Sequence, residues 1–102
     1  MLTLPIKKKW FDMLLSGEKK EEYREIKLYY ATRLKHEIEG GAPYIAKFVN
    51  GYRRDAPYFT AAYHLEIRAG KEEWGADRGV VYYVLVIEKI ICSIRAYHSR
   101  RI

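Results

Sequence analysis

From Phe59 to Arg68 the chain alternates, with Phe59, Ala61, Tyr63, Leu65 and Ile67 on one side and Thr60, Ala62, His64, Glu66 and Arg68 on the other. A period of two is the pattern of a half-buried β-strand. A loop from Gly70 to Gly79, holding Trp74-Gly75, follows it. Val80 to Ile87 is then apolar on both faces and reads as a central strand, with its β-branched run continuing through Ile94. Nothing between these late strands is long enough for a crossover helix. A doubly wound parallel sheet is thereby disfavoured. An α+β fold, or a small β-barrel with two helices packed on it, is expected.

The helices must then come early. Leu2, Leu4 and Ile6 alternate with polar or turn residues and predict a short first strand ended by Pro5. Ile6, Trp10, Met13 and Leu14 fall on one helical face, while Lys7, Lys8, Asp12 and Ser16 lie elsewhere, which predicts a helix from Lys7 to Ser16. Gly17 supplies its left-handed cap. Lys19 to Ile26 has no helical stripe and reads as extended. Helical spacing returns over Lys27 to Glu39 with Tyr30, Ala31, Leu34 and Ile38 on one face, until Gly40-Gly41 and Pro43 stop it. Tyr44 to Val49 then reads as a strand leading into Asn50-Gly51, a strong hairpin signal. With no repeat, low-complexity tract or linker, residues 1–102 are expected to form one domain.

Composition narrows the chemistry. Ten tyrosines, three phenylalanines and two tryptophans supply the bulk of a core for a chain of 102 residues. The single cysteine, Cys92, excludes an intramolecular disulfide and a multi-cysteine zinc site; its place in Ile90-Ile91-Cys92 predicts burial. No signal peptide and no membrane-spanning run is evident, so a cytoplasmic location is expected. No HExxH, CxxC or glycine-rich phosphate loop occurs, which implies neither a metal nor a nucleotide cofactor. His36, His64 and His98 show no spacing that gathers them, and His64 belongs to the outward face of its strand. The net charge of +6 favours a polyanionic partner. Arg95, Arg100 and Arg101 close the chain, and Arg53-Arg54 stand beside the Asn50-Gly51 turn.

The segment Gly17-Glu18-Lys19-Lys20-Glu21-Glu22-Tyr23-Arg24 carries the functional signal. In an extended strand Glu22 and Arg24 point the same way, and Lys19 follows the turn at Gly17. A carboxylate, a guanidinium and an ammonium sharing one cleft would be a functional site. The alternative is a solvated edge strand whose charges discourage aggregation. The pattern Gly-x-Lys-x-x-Glu-x-Arg, met by Gly17, Lys19, Glu22 and Arg24, resembles the signature of the ASCH superfamily. The preceding helix with Trp10, Met13 and Leu14, the Glu73-Trp74-Gly75-Ala76 loop and the Tyr82–Ile87 strand are similar to phage and bacterial members. The resemblance implies a PUA-like small β-barrel with two helices near the N-terminus, a cleft beside the motif, and binding of RNA or a modified nucleoside. It assigns Lys19 to a phosphate or base carbonyl, Arg24 to a phosphate or base edge, Glu22 to an exocyclic amine, and Gly17 to close backbone approach. On a purely architectural reading, Glu22 and Arg24 only orient Lys19.

Some members of that family are amidohydrolases that deacetylate N4-acetylcytidine with a lysine and a threonine of this motif. The lysine is Lys19, but the threonine position holds Glu22, and a neighbouring carboxylate favours the charged form of a lysine. The further glutamate those enzymes use has four candidates here, Glu66, Glu72, Glu73 and Glu88. Binding is therefore expected over catalysis. The alternative is a hydrolase acting on N4-acetylcytidine or RNA, an amidohydrolase or ribonuclease with Lys19 and Glu22 catalytic. A protein-interaction domain would require the motif to be occupied by the protein's own side chains. Arg53 and Arg54 are expected to contact phosphates while Tyr52 stacks on a base. Trp74 is expected to cover an open barrel end, Tyr29, Tyr30 and Arg33 to form a wall of the cleft, and Tyr30 to pack in the core.

Overall fold

The computed structural model describes residues 1–94; Arg95, His98, Arg100 and Arg101 lie outside the described residues. In chain order the elements are β1 (Leu2–Ile6), α1 (Lys8–Ser16), β2 (Glu21–Glu25), α2 (Leu28–Glu39), β3 (Ile45–Asn50), β4 (Tyr58–Ala69), a single 3-10 turn (Glu72–Trp74) and β5 (Val81–Ile94). The five strands form one mixed sheet in the order β1-β3-β4-β5-β2, parallel between β1 and β3 and antiparallel elsewhere. The fold is α+β, with two helices early in the chain. No helix among the described residues is long and apolar enough to cross a membrane.

The sheet is open, with β1 and β2 as its edges, but it curls strongly. Against β4, the strand β5 carries an extra residue at Glu88 and another at Ile91, where the register shifts. Each β-bulge bends its strand and increases the local twist. The two edges come close enough for Nη2 of Arg24, on β2, to donate to the carbonyl of Pro5, on β1, at 3.2 Å. One side chain thus spans the gap between the sheet edges.

The core lies inside this curl. Leu2, Leu4 and Ile6 of β1 meet Phe48 of β3, Phe59, Ala61 and Tyr63 of β4 and Leu85 of β5, closed over by Phe11 and Leu14 of α1 and Leu34 of α2. Phe59 is fully buried between two rings, stacked on Phe48 at 5.0 Å and tilted against Phe11 at 5.3 Å. Because β5 is covered on both faces, Tyr82 and Val84 pack the opposite way, against Ala76. That is the two-sided apolar strand its sequence predicts.

Several local expectations are corrected. Pro5 does not end the first strand, which runs on to Ile6 with Pro5 opposite Val49; at a sheet edge the missing N–H is tolerated. The buried face of α1 is Phe11 and Leu14, so Trp10 and Met13 are only half-buried, turned to one flank. Asn50-Gly51 does lead into the β3–β4 hairpin, but through a loop over 51–57 rather than a two-residue turn, with the Gly51 N–H donating to the carbonyl of Ile6 at 3.0 Å. Ile67 is 62 % exposed because the β3 ladder stops at Ala62, leaving the far end of β4 beyond the core. Ile38, at the end of α2, is likewise exposed. Cys92 is exposed rather than buried. The two bulges reverse the alternation of β5 twice, which leaves Cys92 opposite Thr60 on the outer face, and β2 reaches only to Val86, so the end of β5 pairs on one side.

On the outer face of the sheet a charged row ties β4 to β5 and, beyond it, to the start of β2. Arg68 holds Glu21 of β2 at 2.6 Å and Glu66 at 2.6 Å, while His64 sits between Glu66 at 2.6 Å and Glu88 at 2.8 Å. The Arg68 guanidinium holds the Glu21 and Glu66 carboxyls below their ordinary value, and the bond to Glu66 raises His64. The carboxylates contribute stability above about pH 4.5 that is lost as pH falls through their lowered values. His64 contributes stability below pH 6.5 that is lost as pH rises through its raised value. The row therefore contributes most between those limits. Melting of the wild type and of His64→Gln across this range is expected to show the largest gap there, closing toward alkaline pH; a gap that widens with rising pH would contradict the assignment.

Candidate ligand cleft at the gap between the sheet edges

The motif residues are placed by the turn between α1 and β2. Gly17, at φ 89°, ends α1 in the left-handed conformation its sequence position predicts, and its N–H donates to the carbonyl of Leu14 at 3.2 Å. Lys19 N–H then reaches back to the carbonyl of Met13 at 2.9 Å. This tight reversal carries the Lys19 side chain inward, leaving it 2 % exposed. Its Nζ donates to the backbone carbonyl of Trp74 at 2.5 Å and lies 3.2 Å from Oε1 of Glu22. The rings of Trp10 and Tyr23 face the ammonium at 4.8 and 5.0 Å. A buried ammonium is tolerable only when enclosed by such groups.

Glu22 is the centre of the arrangement. Its other oxygen, Oε2, accepts from Nη2 of Arg24 at 2.8 Å, so each carboxylate oxygen holds one cation. Arg24 also donates from Nη1 to the Tyr30 hydroxyl at 3.1 Å, and its Nε is buried without a partner among the described residues. Burial is the largest influence on Lys19 and lowers its pKa; the Glu22 carboxylate opposes it. The carboxylate thus acts in the expected direction, toward the charged form, but desolvation outweighs it.

Glu22 and Arg24 form one wall of a cleft of about 410 Å³. Pro5, Ile6 and Lys7 face them from β1 and the start of α1, with Trp10 on the α1 side and Gly51-Tyr52 closing the rim. The cleft therefore occupies the gap between the two sheet edges. Its lining is mostly apolar and aromatic, with one carboxylate and two cationic side chains. Tyr52 is 90 % exposed.

The sequence-derived site is partly assembled here. Glu22 and Arg24 line the cleft; Lys19 lies behind them, already satisfied by the protein; Gly17 belongs to the turn and not to the wall. Arg53 and Arg54 are exposed in the 51–57 loop, next to the cleft-lining Tyr52 but not themselves in the lining. None of Glu66, Glu72, Glu73 and Glu88 lines the cleft; Glu66 and Glu88 hold His64, and Glu72 pairs with Arg78 at 3.1 Å. Tyr29, Tyr30 and Arg33 do not form a wall of the cleft, because α2 lies behind Arg24; Tyr30 packs against the core and bonds Arg24. Sequence reasoning missed Lys7, the extended residue that precedes α1, and the cleft role of Trp10. It also missed the Trp74 carbonyl, which no side-chain pattern can reveal. The 70–80 loop that brings it in requires Gly70, where a Cβ would lie 2.5 Å from the Tyr23 ring.

No group of His, Cys, Asp and Glu suited to a metal ion occurs among the described residues. Comparison of the chain with protein-family models, with curated proteins and with solved structures returns no match.

Proposed function

We propose that this chain is an ASCH-type, PUA-like module that binds RNA or a nucleoside in the cleft between β1 and β2. The observation that carries the reading is Glu22, the one carboxylate in an aromatic-lined cleft, fixed by a cation on each oxygen. Clamped in this way it cannot swing, yet each oxygen keeps lone-pair capacity for a further donor. An exocyclic amine of cytosine is the partner such a carboxylate selects. Trp10 and Tyr52 offer ring faces for the base, while Lys7 and Arg24 favour an anionic group beside it. A five-stranded sheet whose edges are bridged by one arginine is also near the closure a PUA-like barrel requires. On this reading Lys19 is a positioning residue behind the wall and not a ligand contact.

The hydrolytic alternative draws on the lowered pKa of Lys19, which moves it toward the neutral form of a general base. Against it, the amine is already held by the Trp74 carbonyl, and Glu22 stands where the hydrolytic members carry a hydroxyl. Binding is the reading the geometry favours.

Titration calorimetry with cytidine and uridine 5′-monophosphates tests it. The wild type is expected to prefer cytidine by roughly tenfold, as a good amine contact provides. Glu22→Gln is expected to lose that preference, and Tyr52→Ala to weaken both nucleotides equally. Binding of neither nucleotide, or a preference untouched by Glu22→Gln, would sink the proposal.

A further inference from the structure

Among the described Phe, Tyr and Trp side chains only two are largely exposed, Tyr52 at 90 % and Tyr29 at 57 %. Tyr52 rims the cleft. Tyr29 stands on the first turn of α2, joined to the cleft by an unbroken ladder of rings and cations. The Arg24 guanidinium lies over the Tyr30 ring at 5.6 Å, Tyr30 meets Tyr29 edge-on at 4.9 Å, and the Arg33 guanidinium lies over Tyr29 at 5.3 Å. Lys27 adds a further cation, 5.5 Å from the Tyr30 ring. The ladder ends at a second hollow, also of about 410 Å³, lined in part by Thr32, Arg33, His36 and Glu37.

Arg33 is the group there that lacks an explanation. It has no carboxylate within salt-bridge distance among the described residues, and its Nε is buried with no hydrogen-bond partner. Glu37, in the same hollow, faces the Met1 amino group at 3.8 Å instead. An exposed ring backed by an unpaired guanidinium is a platform for a base with its phosphate alongside. Two such rings, linked by a row of cations, suit a chain of nucleotides better than a single one.

We infer that the ligand is a single-stranded polynucleotide that leaves the cleft along the N-terminal half of α2, stacking a second base on Tyr29 and placing a phosphate at Arg33. The inference rests on the reading that the cleft holds a nucleobase. It adds a subsite and excludes a free nucleoside as the full ligand.

The test is fluorescence-detected binding of cytidine monophosphate and of single-stranded oligocytidylates from two to six nucleotides. Affinity is expected to rise about tenfold or more once the oligomer spans both rings. Tyr29→Ala and Arg33→Gln should each remove most of that gain and leave monophosphate binding unchanged. Arg33→Gln should also make the salt dependence shallower by about one phosphate contact. Tyr29 is exposed, so its variant keeps the test valid even if Arg33→Gln perturbs α2. Oligomers that bind no tighter than the monophosphate, or a gain that survives both substitutions, would overturn the subsite while leaving the cleft reading intact. Equal affinity for an RNA duplex would overturn the single-strand assignment. Absence of binding to every probe would remove both the cleft reading and this inference.

Discussion

Glu22→Gln is expected to destabilise the fold by about 3–5 kcal/mol, more than Lys19→Met does, although both side chains are buried. The asymmetry follows from the geometry. Glu22 separates two cations, one on each oxygen, at 3.2 Å from Lys19 and 2.8 Å from Arg24. Without its charge, Lys19 and Arg24 face each other across a site that is nearly dry. Without Lys19, Glu22 keeps its bond to Arg24, and the principal loss is the donor to the Trp74 carbonyl, about 1–3 kcal/mol. The double variant is expected to cost less than the two single losses together, because removing both partners leaves no stranded charge in place of Lys19. Chemical denaturation of the three variants checks this order. A larger loss for Lys19→Met than for Glu22→Gln would show that Glu22 is not the centre of the cluster.

Phe59→Ala is expected to cost a similar ~3–5 kcal/mol, and to lower the melting temperature by about 15 °C or more for a domain of this size. Phe59 is fully buried and joins the three layers of the core: Phe48 stacks on one side, Phe11 of α1 packs on the other, and β4 carries it in the middle of the sheet. Truncation would leave a hole bounded by rigid rings that cannot collapse into it. Phe59→Leu should recover much of the loss, since it restores volume without the ring contacts. A thermal melt that barely moves for Phe59→Ala would mean that the sheet and α1 are not held together through this residue.

Much of this architecture is legible from periodicity. The alternation of Phe59 to Tyr63 and the two-faced run ending at Ile87 appear as β4 and β5, and Gly17 and Gly40-Gly41 mark the ends of α1 and α2. What periodicity could not show is the effect of the bulges. An extra residue at Glu88 and at Ile91 leaves no compositional mark, yet between the two the alternation is reversed, so that Ile90 stands opposite the buried Ala61. Pro5 reads as a terminator because its lost N–H matters only if the strand is not at an edge, and edges are a property of the whole sheet.

The site divides in the same way. Glu22 and Arg24 share a face because they are two apart in a strand, so their meeting is a local fact. Lys19 lies in the same cluster but on the inner side, and its burial depends on a carbonyl fifty-five residues later in the chain. Tyr52, Arg53 and Arg54 are expected together from one basic turn, yet of the three only Tyr52 stands at the rim of the cleft. Long-range closure decides such choices, and a one-dimensional pattern does not encode it.

The measurement that tests the account most directly is a titration of isotope-labelled protein with cytidine 5′-monophosphate, followed by amide chemical shifts. The expected response is confined to the rim and walls of the cleft: Ile6 and Lys7, Glu22 to Arg24, and Gly51-Tyr52. Shifts that spare these residues and gather on the outer charged row of His64, Glu66 and Arg68 would contradict the proposal that the gap between β1 and β2 is the binding site.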